Sequence, residues 1–160
     1  MKIFELVEES KEVMVFKGMH GDAFPGNQQC IRLAKQLNAT VFEYTQRSDA
    51  LRRIRELKPK KLVLIGYSAG VKTVIDISEQ YTPALSILIA GYPTTLQAGE
   101  NRIQGPYINY YQPKELDSIL RSKKLPPYKP QGGEPMPVDQ EHDKIVAAVT
   151  SDIIRKVKNI

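Results

Sequence analysis

The run Lys61-Leu62-Val63-Leu64-Ile65 carries apolar side chains on both of its alternating faces and passes directly into Gly66-Tyr67-Ser68-Ala69-Gly70, after which Val71, Val74, Ile75 and Ser78 recur at helical spacing. A strand that is apolar on both faces needs cover on both, which is the condition of a central strand in a parallel sheet flanked by helices. The rest of the first two-thirds repeats this alternation of short β-branched runs and amphipathic stretches. Val13-Met14-Val15-Phe16 reads as a strand, with Lys2-Ile3-Phe4-Glu5-Leu6 as an antiparallel edge beside it. Ile31, Ala34 and Leu37 mark a helix, and Thr40-Val41-Phe42-Glu43-Tyr44 the next strand. Ser48 or Asp49 is placed to cap a helix carrying Ala50, Leu51, Ile54 and Leu57, which Pro59 ends.

Leu85-Ser86-Ile87-Leu88-Ile89-Ala90 reads as a further central strand and Tyr107-Ile108-Asn109-Tyr110-Tyr111 as a shorter, more polar one. Prolines at 106, 113, 126, 127, 130, 135 and 137, with Gly132-Gly133, predict surface loops between and after these. Ile145, Val149, Ile153 and Val157 then restore a helical stripe. The expectation is an α/β fold: a single domain across residues 1–160 with one mainly parallel sheet flanked by helices. A chain of 160 residues with 41% hydrophobic content can bury one such core and not two.

Cys30 is the only cysteine, so neither an intramolecular disulfide nor a four-cysteine metal site can form, and a reducing compartment such as the cytoplasm is expected. Its place in an apolar helical pattern predicts a buried small hydrophobe. The formal charge is +5, and Arg52, Arg53, Arg55, Lys58, Lys60 and Lys61 crowd together. No aromatic interleaving or zinc-finger spacing accompanies them, so they read as a solvated helix face and not as a nucleic-acid surface. No stretch approaches the roughly 18 apolar residues of a membrane span, and no basic start with an apolar run and cleavage site suggests export. Gly18, Gly21 and Gly26 follow the first central strand, but their spacing fits neither a dinucleotide fingerprint nor a phosphate loop.

Gly-x-Ser-x-Gly alone is a modest signal; between an apolar strand and a helix it gains weight, because that context forms a strained elbow that lifts the serine oxygen above the sheet. The bland alternative is a tight turn in which Ser68 caps the helix. A serine hydroxyl needs a base within hydrogen-bond reach, and the chain offers only His20 and His142. His142, after the proline-rich stretch and ahead of the last helix, can return over the carboxyl edge of the sheet and is the expected base. His20, in the turn after the first central strand, is better placed to line the site, as is Tyr67. An acid should hold the imidazole; Asp117 is preferred because it follows the last strand, with Glu115 as its substitute and Asp139 and Asp143 as further alternatives.

These residues resemble the α/β-hydrolase superfamily, and the likeness covers nearly the whole chain. Gly66-Tyr67-Ser68-Ala69-Gly70 looks like its nucleophile elbow, and the order Ser68, Asp117, His142 matches its order of nucleophile, acid and base. Phe16-Lys17-Gly18-Met19 stands where these enzymes carry a strand ending in His-Gly, with Lys17 in place of the histidine. The resemblance implies an oxyanion hole from the Met19 and Ala69 backbone N–H groups, and two-step hydrolysis of a small ester or thioester through an acyl-enzyme. It implies no metal or organic cofactor. The shortness of the chain leaves little room for a lid. The competing expectation is a binding or assembly module on the same scaffold, using the basic stretches and Tyr107, Tyr110 and Tyr111 as its surface.

Overall fold

In the computed structural model residues 10–160 are described, and the edge strand expected at residues 2–6 lies outside them. Strands β1 (Lys11–Phe16), β2 (Thr40–Phe42), β3 (Lys61–Tyr67), β4 (Leu85–Ile89), β5 (Tyr107–Tyr111) and β6 (Glu134–Pro137) form one sheet in the order β2-β1-β3-β4-β5-β6, parallel at every pairing. Helices α1 (Pro25–Leu37) and α6 (Ile145–Lys158) cover one face. On the other lie α2 (Arg47–Leu57), α3 (Gly70–Ser78), α4 (Pro93–Gly99) and α5 (Pro113–Ser122).

The two-sided apolar pattern of β3 has the expected cause. Val63, Ile65 and Tyr67 enter the core under α1 and α6, whereas Leu62 and Leu64 enter the core under α2 and α3. The chain leaves β1 for the edge at β2, then returns to β3 on the other side of β1. The loops after β1 and β3 therefore diverge, and the crevice at such a switch point is where ligands collect in open α/β sheets. Among the described residues no helix is long and apolar enough to cross a membrane.

Several local expectations are corrected. The inward stripe of α1 is Asn27, Cys30, Leu33 and Ala34, and Ile31 is only half-buried. Helix α2 begins at Arg47, ahead of Ser48 and Asp49, and neither caps it; the Gln46 side chain instead accepts a hydrogen bond from the Glu43 N–H at 2.7 Å. The stretch after β4, expected as loop, holds α4, and Pro113 starts α5 where a loop was also expected. Proline suits the first turn of a helix, where its missing N–H has no intrahelical partner to lose. Strand β6 contains Pro135 and Pro137 and, among the described residues, pairs only with β5. Val138 N–H donates to Tyr111 O at 2.8 Å. Alternation along the strand turns the two proline nitrogens to the outer edge, where no donor is needed.

Candidate active site

Ser68 stands on a backbone with φ of 55°, in the left-handed region, between the end of β3 and the start of α3. Its N–H is tied to Ile89 O at 2.9 Å, which holds the turn against β4. The flanking glycines permit the elbow: a Cβ on Gly66 would sit 2.5 Å from Gly70 O, and one on Gly70 would sit 2.2 Å from Phe16 O. The Ser68 side chain does not cap α3, whose N-cap is Ala69 without a side-chain bond. Its Oγ lies 3.0 Å from His142 Nε2. Residues 74 apart in sequence are thus brought to hydrogen-bond distance.

The loop carrying His142 is pinned through three backbone carbonyls. Tyr67 Oη donates to His142 O at 2.6 Å, Gln29 Nε2 to Asp143 O at 2.5 Å, and Gln112 Nε2 to Gln140 O at 2.6 Å. Tyr67 is accordingly buried at 0% exposure, with its ring 5.2 Å from that of His142. The expectation that it lines a substrate pocket is corrected: its hydroxyl is spent on the base loop. Burial lowers the His142 pKa below its ordinary value, with Glu115 and Asp143 acting in the opposite direction. Desolvation disfavours the imidazolium more than the two carboxylates favour it, so the ring is neutral at pH 7.

At the other ring nitrogen the preferred acid is absent. His142 Nδ1 lies 3.2 Å from Gln112 Oε1 and 3.7 Å from Glu115 Oε1. Asp117 is exposed on the outer face of α5 and pairs with Arg121 one turn along. The reason is helical phase: Leu116 and Leu120 point inward, which rotates Asp117 away from the ring. Asp139 is exposed and faces Lys114 at 3.5 Å. Gln112, missed in the sequence, is 5% exposed and is the residue directly after β5. That position at the carboxyl end of the last expected strand was the signal that could have found it.

The turn after β1 is organised by another residue missed in the sequence. Asn27, at 0% exposure in the first turn of α1, accepts from Gly18 N–H at 2.8 Å. Its Nδ2 donates to Gly18 O at 3.2 Å, Met19 O at 2.9 Å and Gly21 O at 2.8 Å. The Gly18 N–H is thereby occupied, whereas among the described residues no acceptor meets the N–H of Met19 or of Ala69. A Cβ on Gly18 would lie 3.0 Å from Ser68 Cβ, so this turn abuts the elbow. His20 (φ 77°) is exposed at its tip, its ring 5.7 Å from Phe24. Lys17 points elsewhere, 4% exposed, ion-paired to Asp22 and, at 2.9 Å, to Glu43. Burial opposes its charge, but the two carboxylates outweigh burial and raise its pKa.

A hollow of about 440 Å³ opens beside the base loop among Gln112, Lys114, Glu115, Asp139 and Lys144. The space against the ring of His142 itself, walled by Gly91, Tyr92 and Ile119, is only about 10 Å³, room for about one water. Among the described residues no three His, Cys, Asp or Glu side chains are grouped to hold a metal ion. Of the competing surface, Tyr107 and Tyr110 are buried and Tyr111 is half-buried, whereas Arg52 is exposed and pairs with Asp49, and Arg53 is half-buried and pairs with Glu12.

No protein-family model matches the chain, and no curated protein matches it. Solved structures do. A candidate hydrolase of the α/β superfamily from Xanthomonas campestris pv. campestris superposes with a TM-score of 0.58 at 12% identity, over 94% of this chain and 99% of that one. A candidate aryl esterase from Burkholderia cenocepacia gives a TM-score of 0.58 at 12% identity, over 94% of this chain and 90% of that one. The likeness is one of architecture: the chain has the α/β-hydrolase fold.

Proposed function

We propose that this α/β-hydrolase fold works as a serine hydrolase on a small carboxylic ester or thioester, with Ser68 as nucleophile and His142 as general base. The observation that carries the reading is the 3.0 Å contact between Ser68 Oγ and His142 Nε2 on a strained elbow at the switch-point crevice. In the first step Ser68 Oγ attacks the acyl carbon while its proton passes to His142 Nε2. The N–H groups of Met19 and Ala69 receive the developing oxyanion. Collapse breaks the bond to the leaving alcohol or thiol, which takes the proton from His142. Water, deprotonated by the same nitrogen, then hydrolyses the acyl-enzyme and restores Ser68.

The aryl esterase likeness supports an ester as the scissile bond. A single cysteine, which allows no intramolecular disulfide, suits a reducing compartment such as the cytoplasm. The test is labelling with a fluorophosphonate probe, followed by a short-chain ester assay. Wild type should label and turn over, and Ser68→Ala and His142→Ala should do neither. Folded wild type that never labels would overturn the reading in favour of a scaffold that binds without reacting.

A further inference from the structure

The hydrolase reading makes His142 a base, and a base of this kind needs two services from its surroundings: the correct tautomer before reaction, and a negative charge beside the ring once it is protonated. A buried carboxylate on Nδ1 performs both. Here the group in hydrogen-bond contact with Nδ1 is an amide, Gln112 Oε1 at 3.2 Å, and the carboxylate stands further off, Glu115 Oε1 at 3.7 Å.

The amide cannot be turned round. Gln112 Nε2 is 2.6 Å from the backbone carbonyl of Gln140. A carbonyl only accepts, so the NH₂ group must face it and the amide oxygen must face the ring. An amide oxygen also only accepts, which obliges Nδ1 to carry the hydrogen. The lone pair is then on Nε2, where Ser68 Oγ–H lies. A neutral, buried side chain thus selects the reactive tautomer without any carboxylate.

Charge compensation must come from another residue, because an amide carries none. The groups facing the ring are Glu115 from the first turn of α5, Asp143 from the loop itself, and Tyr67 from β3, whose hydroxyl is already bound to His142 O. Among the described residues only Glu115 has a carboxylate oxygen within ion-pair distance of Nδ1. Its side chain is 41% exposed, so solvent and salt screen it in a way that a buried carboxylate would escape.

We propose that the work of the acid is divided in this chain: Gln112 positions His142 and fixes its tautomer, and Glu115 supplies the charge that steadies the protonated ring. Both are positioning residues, acting through the histidine and not on substrate. The division has a signature that a single buried acid lacks. Turnover should fall with ionic strength through Glu115, while the tautomer of the resting ring should not respond to salt at all.

The experiment is nitrogen-15 NMR of the His142 imidazole across a pH titration, combined with steady-state kinetics at low and high salt. Wild type should show the Nδ1–H tautomer in its neutral form. Glu115→Gln should keep that tautomer, lower the His142 pKa by up to one unit and kcat by up to about tenfold, leave KM within about twofold, and remove the salt dependence. Gln112→Ala should scramble the tautomer. An unchanged pKa and salt response in Glu115→Gln would overturn the proposal. So would a Gln112→Ala protein that keeps the Nδ1–H tautomer. The NMR readout needs no turnover, so a protein that never labels with fluorophosphonate yet shows both NMR effects would refute the hydrolase reading and leave the division standing.

Discussion

A single phenol couples the strand that carries Ser68 to the loop that carries His142. Tyr67 Oη reaches His142 O across 75 residues, and burial drives its pKa upward, so it stays protonated and donating throughout the working range. Tyr67→Phe keeps the packing and loses only this bond. We expect a folded protein with kcat about fivefold lower and KM nearly unchanged, a net loss of about 1 kcal/mol in line with one hydrogen bond; kinetics alongside circular dichroism would check it. Gly26 gives the phenol its room, since a Cβ there would lie 2.2 Å from Tyr67 Oη. Gly26→Ala should therefore destabilise the fold by about 1–3 kcal/mol, the ordinary cost of overpacking, measured by urea denaturation. The lowered pKa of His142 has a direct kinetic consequence. A base works when deprotonated, so kcat/KM should rise with pH through the free-enzyme pKa of the ring and level off above it. Because burial lowers that pKa, the midpoint of the rise should fall below about 6.5. A midpoint above 7 in a pH–rate profile would contradict this.

At the scale of elements, the N-terminus of α1 holds the turn after β1 through one amide. Asn27 satisfies one N–H and three carbonyls of residues 18–21, and no hydrophobic pattern could have announced it, because a polar residue in a helix's first turn reads as solvent-facing. Asn27→Ala strands some of these groups. We expect a loss of about 1–3 kcal/mol, with faster hydrogen exchange at Gly18 as the local mark. Helix α5 shows the same limit of pattern reading. A proline at 113 reads as a loop when counted with its neighbours, yet it is the first residue of a ten-residue helix that carries Glu115 toward His142 and Asp117 away from it. Two residues along the helix separate the outcomes. The preference for Asp117 rests on its place after the last expected strand, which has no access to the phase of the helix.

For the whole molecule, stability comes from a sheet sealed on both sides, and the centre of β3 belongs to both layers. Ile65 is at 0% exposure under α1 and α6, while Leu57 at the end of α2 is 48% exposed. Ile65→Ala should cost about 2–5 kcal/mol and Leu57→Ala no more than about 0.5 kcal/mol, compared by denaturant midpoints. The sequence by itself determined the layered α/β architecture, the central strand and its elbow, and the pairing of Ser68 with His142 as the groups to watch. It could do so because strand and helix periodicities and the apolar runs are local, and because only two histidines exist to choose from. Only the tertiary structure decided what meets the far side of that histidine. Gln112, Glu115, Tyr67, Gln29 and Asn27 act through hydrogen bonds and charges between segments remote in the chain. Such contacts depend on the phase of a helix and the path of a loop to within an ångström or two, and a one-dimensional pattern does not carry distances of that kind.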